Sequence, residues 1–298
     1  MSQSRDALCN VRDLIRYGVS RFNETKLFFG HGSDNAWDEA VYLVLFALHL
    51  PPDQLEPFMD ARVLPAERER ALSFIDLRCE QRLPAPYLTH EAWLQGYRFH
   101  VDQRVIVPRS PLAELLMNQL SPWISDPYEV TGILDLCTGS GCLAIIAAHQ
   151  FPEAFIDATD ISRDALDVAA INVTQHGLDD RLNLHQGSLY DPLPVAARYD
   201  LIISNPPYVN TASMGKLPAE YRHEPRLALA GGDDGMDVVR TIIEQAPAHL
   251  SEAGWLVIEI GHERAFFDAA FPELEPVWLD TTEASDQILL LSRGQLQS

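Results

Sequence analysis

Apolar residues recur at helical spacing through the first hundred positions and at strand spacing beyond them. Leu8, Val11, Ile15, Val19 and Phe22 stand three and four residues apart, which places them on one face of a helix. Residues 38–50 (DEAVYLVLFALHL) are apolar nearly all round, which predicts a buried helix stopped by Pro51-Pro52. Residues 66–83 (AERERALSFIDLRCEQRL) set Leu72, Ile75 and Cys79 among charges and predict another. Together these make a small helical bundle. Past Pro86 the period changes: 97–108 (YRFHVDQRVIVP) alternates apolar and polar residues around Asp102-Gln103, the pattern of a β-hairpin.

Short apolar runs then alternate with helical stretches, at 133–137, 155–159, 183–186, 201–204 and 256–260. That alternation predicts a parallel sheet wrapped by helices on both faces. Runs 277–279 and 287–292 follow one another across a turn region only, which predicts an antiparallel pair closing the sheet edge. The expectation is an α/β chain in three parts. A helical domain spans 1–96, a β-hairpin linker 97–109, and a Rossmann-like domain with a seven-stranded mixed sheet 110–298.

Composition agrees with a folded protein: 47% of the 298 residues are hydrophobic and 22% charged. No run approaches the roughly 20 apolar residues of a membrane-spanning helix. The start, MSQSRDALCNVRD, lacks an apolar core with a cleavage site, so a cytoplasmic protein without a secretory leader is expected. Cys9, Cys79, Cys137 and Cys142 show no repeated CxxC spacing and are expected to be reduced thiols filling small spaces, without a metal. The 43 acidic residues against 22 basic give a formal charge of -21, which disfavours nucleic-acid backbones and suits a basic protein partner.

The first apolar run opens into ILDLCTGSGCLAI (133–145), a strand, a turn containing Gly139 and Gly141, and a helix start. Glycines there let the backbone approach a ligand, and the helix N-terminus offers free N–H groups to a carboxylate. Asp160 ends the second strand run, where a carboxylate can accept both hydroxyls of a ribose; helix capping by Asp160 or Ser162 is the alternative. Ala144 replaces the third glycine of a dinucleotide fingerprint, which nicotinamide enzymes tolerate. Asp135 inside the first strand favours adenosylmethionine instead, because a carboxylate there can meet an ammonium group and would repel a pyrophosphate. A bond to loop amides is its alternative. Ser188 and Leu189, after Gly187, follow the third strand, where small and apolar groups can face an adenine.

Asn205-Pro206-Pro207-Tyr208 follows the fourth strand run at the carboxyl edge, where open α/β sheets bind ligands. The two prolines fix two φ angles and remove two N–H donors, leaving stiff carbonyl acceptors. An –NH2 group would meet two of them, the Asn205 side-chain oxygen and the Pro206 carbonyl. An amide nitrogen is a poor nucleophile, and acceptors holding its hydrogens can turn its lone pair towards a sulfonium methyl, so catalysis becomes positioning and electrostatics. Tyr208 can pack on the planar amide and stabilise the cationic methyl through its ring face. A rigid turn without a ligand is the alternative reading of NPPY.

DLCTGSG, Asp160, NPPY and HEPRLALAGGDDGMD (223–237) together resemble the protein-glutamine N5-methyltransferases, the HemK/PrmC/PrmB family, over nearly all of the chain. The resemblance implies a class I methyltransferase fold, S-adenosyl-L-methionine as methyl donor with S-adenosyl-L-homocysteine as product, and an amide acceptor. It carries over Cys137, Thr138, Gly139, Ser140, Gly141, Asp160 and Leu189 as cofactor neighbours and Asn205 to Tyr208 as the amide site. Cys137, the stretch Pro108-Arg109-Ser110-Pro111-Leu112 and GHGSDNAWDEA (30–40) are similar to the branch acting on ribosomal proteins, which implies a glutamine of the large-subunit protein L-three. Cys137 and Leu189 stand where the release-factor branch often has glycine and an aromatic. Arg109 can line the cofactor entrance or form a surface ion pair. The helical domain would recognise the protein substrate. Methylation of a release factor, or of adenine N6 in nucleic acid, are the alternatives.

Overall fold

A computed structural model describes residues 6–297; residues 1–5, part of the start read for a leader, and residue 298 lie outside the described residues. The chain forms two units. One takes the chain up to Ala92 together with Pro218–His223, and the other takes Trp93–Leu217 and the chain from Glu224 on.

In the first unit, Asn10 starts α1 (Val11–Thr25) by accepting the Asp13 N–H at 2.8 Å, and Asn35 starts α2 (Ala36–Ala47) by accepting from Trp37 and Asp38. In α3 (Pro65–Gln81) Pro65 sits in the first turn and the Glu67 carboxylate accepts the Leu64 N–H at 2.8 Å. The short α4 (Ala85–Thr89) follows. Gly18 lets α1 approach α2 closely, since a Cβ there would stand 3.1 Å from that of Ala40. Leu14, Ile15, Phe22, Leu43, Leu72 and Ile75 fill the core.

Charge is also buried in this unit. Arg78 donates to Glu39 at 2.6 Å and lies 3.6 Å from Glu220, while Arg82 donates to Glu220 at 2.9 Å. Glu220 also accepts the Phe28 N–H, and Arg78 also donates to the Phe28 carbonyl. Burial pushes the Glu39 carboxyl up and the Arg78 guanidinium pulls it back.

The β-hairpin is β1 (Glu91–Leu94) and β2 (Tyr97–His100), earlier than the alternation at 97–108 suggested. Gln95 and Gly96, at φ +50° and +79°, make the two-residue turn. Asp102, expected at that turn, instead accepts the Arg104 backbone N–H and its guanidinium, and 101–110 runs without regular structure.

The second unit begins with α5 (Leu112–Met117) and alternates through β3 (Gly132–Leu136), α6 (Cys142–Gln150), β4 (Phe155–Asp160), α7 (Arg163–Gln175), β5 (Leu182–Gln186) and β6 (Tyr199–Ser204). It closes with α8 (Thr211–Met214), α9 (Asp237–His249), β7 (Leu250–Glu259), α10 (Arg264–Ala270), β8 (Val277–Leu279) and β9 (Ile288–Ser292). The seven strands run in the order β5-β4-β3-β6-β7-β9-β8; the first five are parallel, and β9 is antiparallel to both β7 and β8. The mixed seven-stranded sheet is the expected one. Strand order reverses between β3 and β6, which opens a crevice beyond their carboxyl ends.

Alternate residues of neighbouring strands share a face, so Leu134, Leu136, Ile202, Ile258 and Leu289 pack with Val239 and Ile242 of α9 and Phe267 of α10. The four cysteines are free; Cys79 and Cys142 are buried, whereas Cys9 is exposed and fills no space. No helix among the described residues is long and apolar enough to cross a membrane. The second unit holds most of the acidity, with 28 acidic residues against 11 basic.

Candidate active site

Leaving β3, the backbone turns through left-handed conformations at Cys137, Gly139 and Gly141, with φ of +60°, +57° and +80°. The two glycines serve different ends. A Cβ on Gly139 would meet nothing within 4 Å, so that position faces open space, whereas one on Gly141 would stand 3.3 Å from Ala169 of α7, so its lack of side chain lets α6 pack there. Thr138 donates its backbone N–H to the Thr159 carbonyl at 3.0 Å, tying the turn to the end of β4.

Asp160 is fixed by two backbone donors: Gly139 N–H to one oxygen at 2.9 Å and Ser162 N–H to the other at 2.8 Å. Ser162, not Asp160, caps α7, accepting the Ala165 N–H. Burial pushes the Asp160 carboxyl up, and the two N–H bonds oppose it. Asp135 is buried beneath the turn, where it accepts the Thr138 hydroxyl at 2.6 Å; burial, with the charge of Asp160 nearby, pushes it up to about 7.

Ser204 ends β6 by donating its hydroxyl to the Leu136 carbonyl at 2.8 Å, which holds the carboxyl ends of β6 and β3 together. Asn205 to Tyr208 follow directly. The loop is then pinned: Val209 N–H donates to Leu229 O at 2.8 Å and Gly231 N–H to Val209 O at 2.9 Å. The Tyr208 hydroxyl donates to Glu259 at 3.1 Å, and the Ser110 hydroxyl donates to the other oxygen of the same carboxyl. Burial pushes Glu259 up to about 7, and the two hydroxyls and the charge of Arg109 pull it down. Arg109 pairs with buried Glu224, donating from Nη2 at 2.8 Å, and Glu224 also accepts the Val107 N–H.

These elements enclose a cavity of about 320 Å³. Among the candidate cofactor residues, Cys137, Thr138, Gly139, Ser140 and Asp160 line it, as do Ser188 and Leu189 from beyond β5, Asn205 and Arg109. Asp135 and Gly141 stand behind that lining and shape it. From the acceptor motif Asn205 and Pro207 line the cavity; Pro206 is buried, and Tyr208 reaches Glu259 instead. Among the described residues the Asn205 carboxamide makes no hydrogen bond. Arg109 therefore combines both sequence readings, a wall of the cavity and an ion pair.

The donor set suits an adenosyl amino acid. Asp160 offers a fixed carboxylate for a diol, Leu189 and Ile161 offer apolar surface for a purine, and the start of α6 presents backbone N–H groups to a carboxylate. The sequence pattern assigned no role to four residues of this neighbourhood: Ser110, Glu224, Glu259 and Leu227. Ser110, Glu224 and Leu227 lie inside the stretches that carry the family resemblance, and Glu259 stands as a single acid within the apolar run LVIEI.

The Methyltransferase small domain model matches residues 112–218. A protein of Bordetella pertussis named ribosomal protein uL3 glutamine methyltransferase is 66% identical over 297 residues, covering 100% of this chain and 99% of its own. One of the same name from Burkholderia pseudomallei is 57% identical, covering 99% of this chain and 98% of its own. Among solved structures, the hMettl16 catalytic domain in complex with MAT2A 3′UTR hairpin 1 superposes with a TM-score of 0.51 at 17% identity, covering 85% of this chain and 91% of that one. That likeness reports the fold alone.

Proposed function

The chain belongs to the ribosomal protein uL3 glutamine methyltransferases, and from that membership and the cavity we propose how its residues carry out the transfer. It moves a methyl group from S-adenosylmethionine to the side-chain amide N5 of a glutamine in uL3, the large-subunit protein L-three. When bound, the cofactor supplies an electrophilic methyl on a sulfonium centre. Asp160 holds the ribose hydroxyls, and Leu189 lies against the adenine. Asp135 acts from behind, through the Thr138 hydroxyl, by fixing the turn.

Asn205 does the central work. Its side-chain oxygen and the Pro206 carbonyl accept the two amide hydrogens, which turns the nitrogen lone pair towards the methyl. A nitrogen–carbon bond forms as the sulfur–carbon bond breaks, and the amide nitrogen then loses one proton to water. No side chain has to take that proton in the transition state, so the rate comes from position and fixed dipoles. The carrying observation is that Asn205, whose carboxamide makes no hydrogen bond among the described residues, lines the same cavity as Gly139 and Asp160.

The helical unit recognises uL3, with Trp37 offering an apolar anchor that is 45% exposed. An excess of acidic groups on the sheet unit suits a basic ribosomal protein. The site of action is the cytoplasm, during ribosome assembly. Incubating the full chain with S-adenosylmethionine and purified uL3 should add one methyl to one glutamine by peptide mass spectrometry. Methylation of a release factor or of adenine in RNA, with uL3 untouched, would contradict this reading.

A further inference from the structure

Glu259 is the last residue of β7, and Ser204 is the last of β6; Ser204 is in register with Ile258, so Asn205 and Glu259 leave the sheet side by side. The Glu259 carboxyl is buried, and its two oxygens accept from different segments, Ser110 of the cavity wall and Tyr208 of the acceptor loop. Tyr208 is seated from the other side by glycines. A Cβ at Gly261 would stand 2.5 Å from its ring, and one at Gly231 2.7 Å from its Cα. The missing side chains leave room for the ring, and its hydroxyl reaches the Glu259 carboxyl.

Resting on the transfer reading above, we propose that Glu259 is a positioning residue: with Ser110 it braces the Tyr208 hydroxyl, and through Tyr208 it holds Asn205 and the Pro206 carbonyl in line for the substrate amide. Glu259 touches neither substrate nor cofactor. Its effect therefore belongs in turnover rather than in binding, because a misplacement of about 1 Å at an acceptor costs up to roughly a hundredfold in rate.

The test uses the full chain, S-adenosylmethionine and uL3. Glu259→Leu should lower kcat about tenfold to a hundredfold, with KM for uL3 and cofactor Kd within about threefold of the parent. Glu259→Gln offers an oxygen to one hydroxyl and an N–H to the other, and should keep at least about a third of the parental kcat. Tyr208→Phe cuts the same brace with little effect on packing, and combining it with Glu259→Leu should lose no more than the larger single loss. Parental kcat in Tyr208→Phe or Glu259→Leu, a glutamine variant as poor as the leucine one, or losses that multiply would each overturn the brace.

Amide hydrogen exchange reads it without turnover. The Val209 and Gly231 N–H groups that close the loop should exchange at least about tenfold faster in Tyr208→Phe and as in the parent in Glu259→Gln. Unchanged exchange in Tyr208→Phe overturns the brace even if Glu259→Leu does not fold. A parent that methylates no glutamine contradicts the transfer reading, while the exchange result still decides the brace.

Discussion

Glu39 and Glu220 in the helical unit and Asp135 and Glu259 in the sheet unit are equally hidden from water, yet they are stabilised by different partners. The first two rest on the guanidinium groups of Arg78 and Arg82. The second two rest on hydroxyls, from Thr138 to Asp135 and from Ser110 and Tyr208 to Glu259, and each carboxyl is pushed up to about 7. A guanidinium neutralises a buried acid permanently, so the first cluster is a fixed joint. A hydroxyl leaves the proton exchangeable and the partner replaceable, so the second pair shapes the cavity's surroundings without committing a full charge there.

The contrast breaks most visibly at Arg78. Arg78→Met leaves Glu39 buried without its cation and should reduce unfolding free energy by about 3–5 kcal/mol in a denaturant melt. A loss under about 1 kcal/mol would mean that the cluster is not a joint at all. The site carboxyls should respond to pH instead. Because Asp135 holds its proton more tightly folded than unfolded, its contribution is complete below about pH 4 and is lost as pH rises through about 7. Asp135→Asn lacks this term, so its stability relative to the parent should improve by about 3 kcal/mol between pH 4.5 and 8. An unchanged difference across that range would place the carboxyl at an ordinary value.

Two smaller effects sharpen the division of labour. Trp37→Ala should raise KM for uL3 about fivefold, roughly 1 kcal/mol, with cofactor Kd unaltered; a changed Kd with constant KM would move recognition away from the helical unit. Cys137→Gly should change unfolding free energy by less than about 1 kcal/mol, since relief at φ +60° offsets the lost thiol packing. A larger loss would give the thiol a packing role that the turn geometry does not suggest.

The same contrast explains what could be read from the chain. The sheet was legible because five apolar runs recur at βα spacing, and the cavity wall because Gly139, Asp160 and Asn205 each follow a strand end that parallel topology brings to one crevice. Alternation continued past the true hairpin, so the turn was read at Asp102 although Gln95-Gly96 makes it. Glu220 and Glu224 lie in one short loop but are counted in different units, a division that no local pattern announces. Glu259 stands out as a lone acid in an apolar run, but its role does not, because its partners, Ser110 and Tyr208, are 149 and 51 residues away along the chain. Pairings at that distance follow from the fold and not from spacing.

Asn205 carries the central claim, that transfer depends on an acceptor aimed into the cavity and not on an acid or base. Measuring cofactor affinity by calorimetry and uL3 methylation by mass spectrometry on Asn205→Ala tests it directly. Cofactor Kd within about threefold of the parent, with kcat/KM for methylation down about a hundredfold or more, is the expected result. Methylation at the parental rate would contradict it.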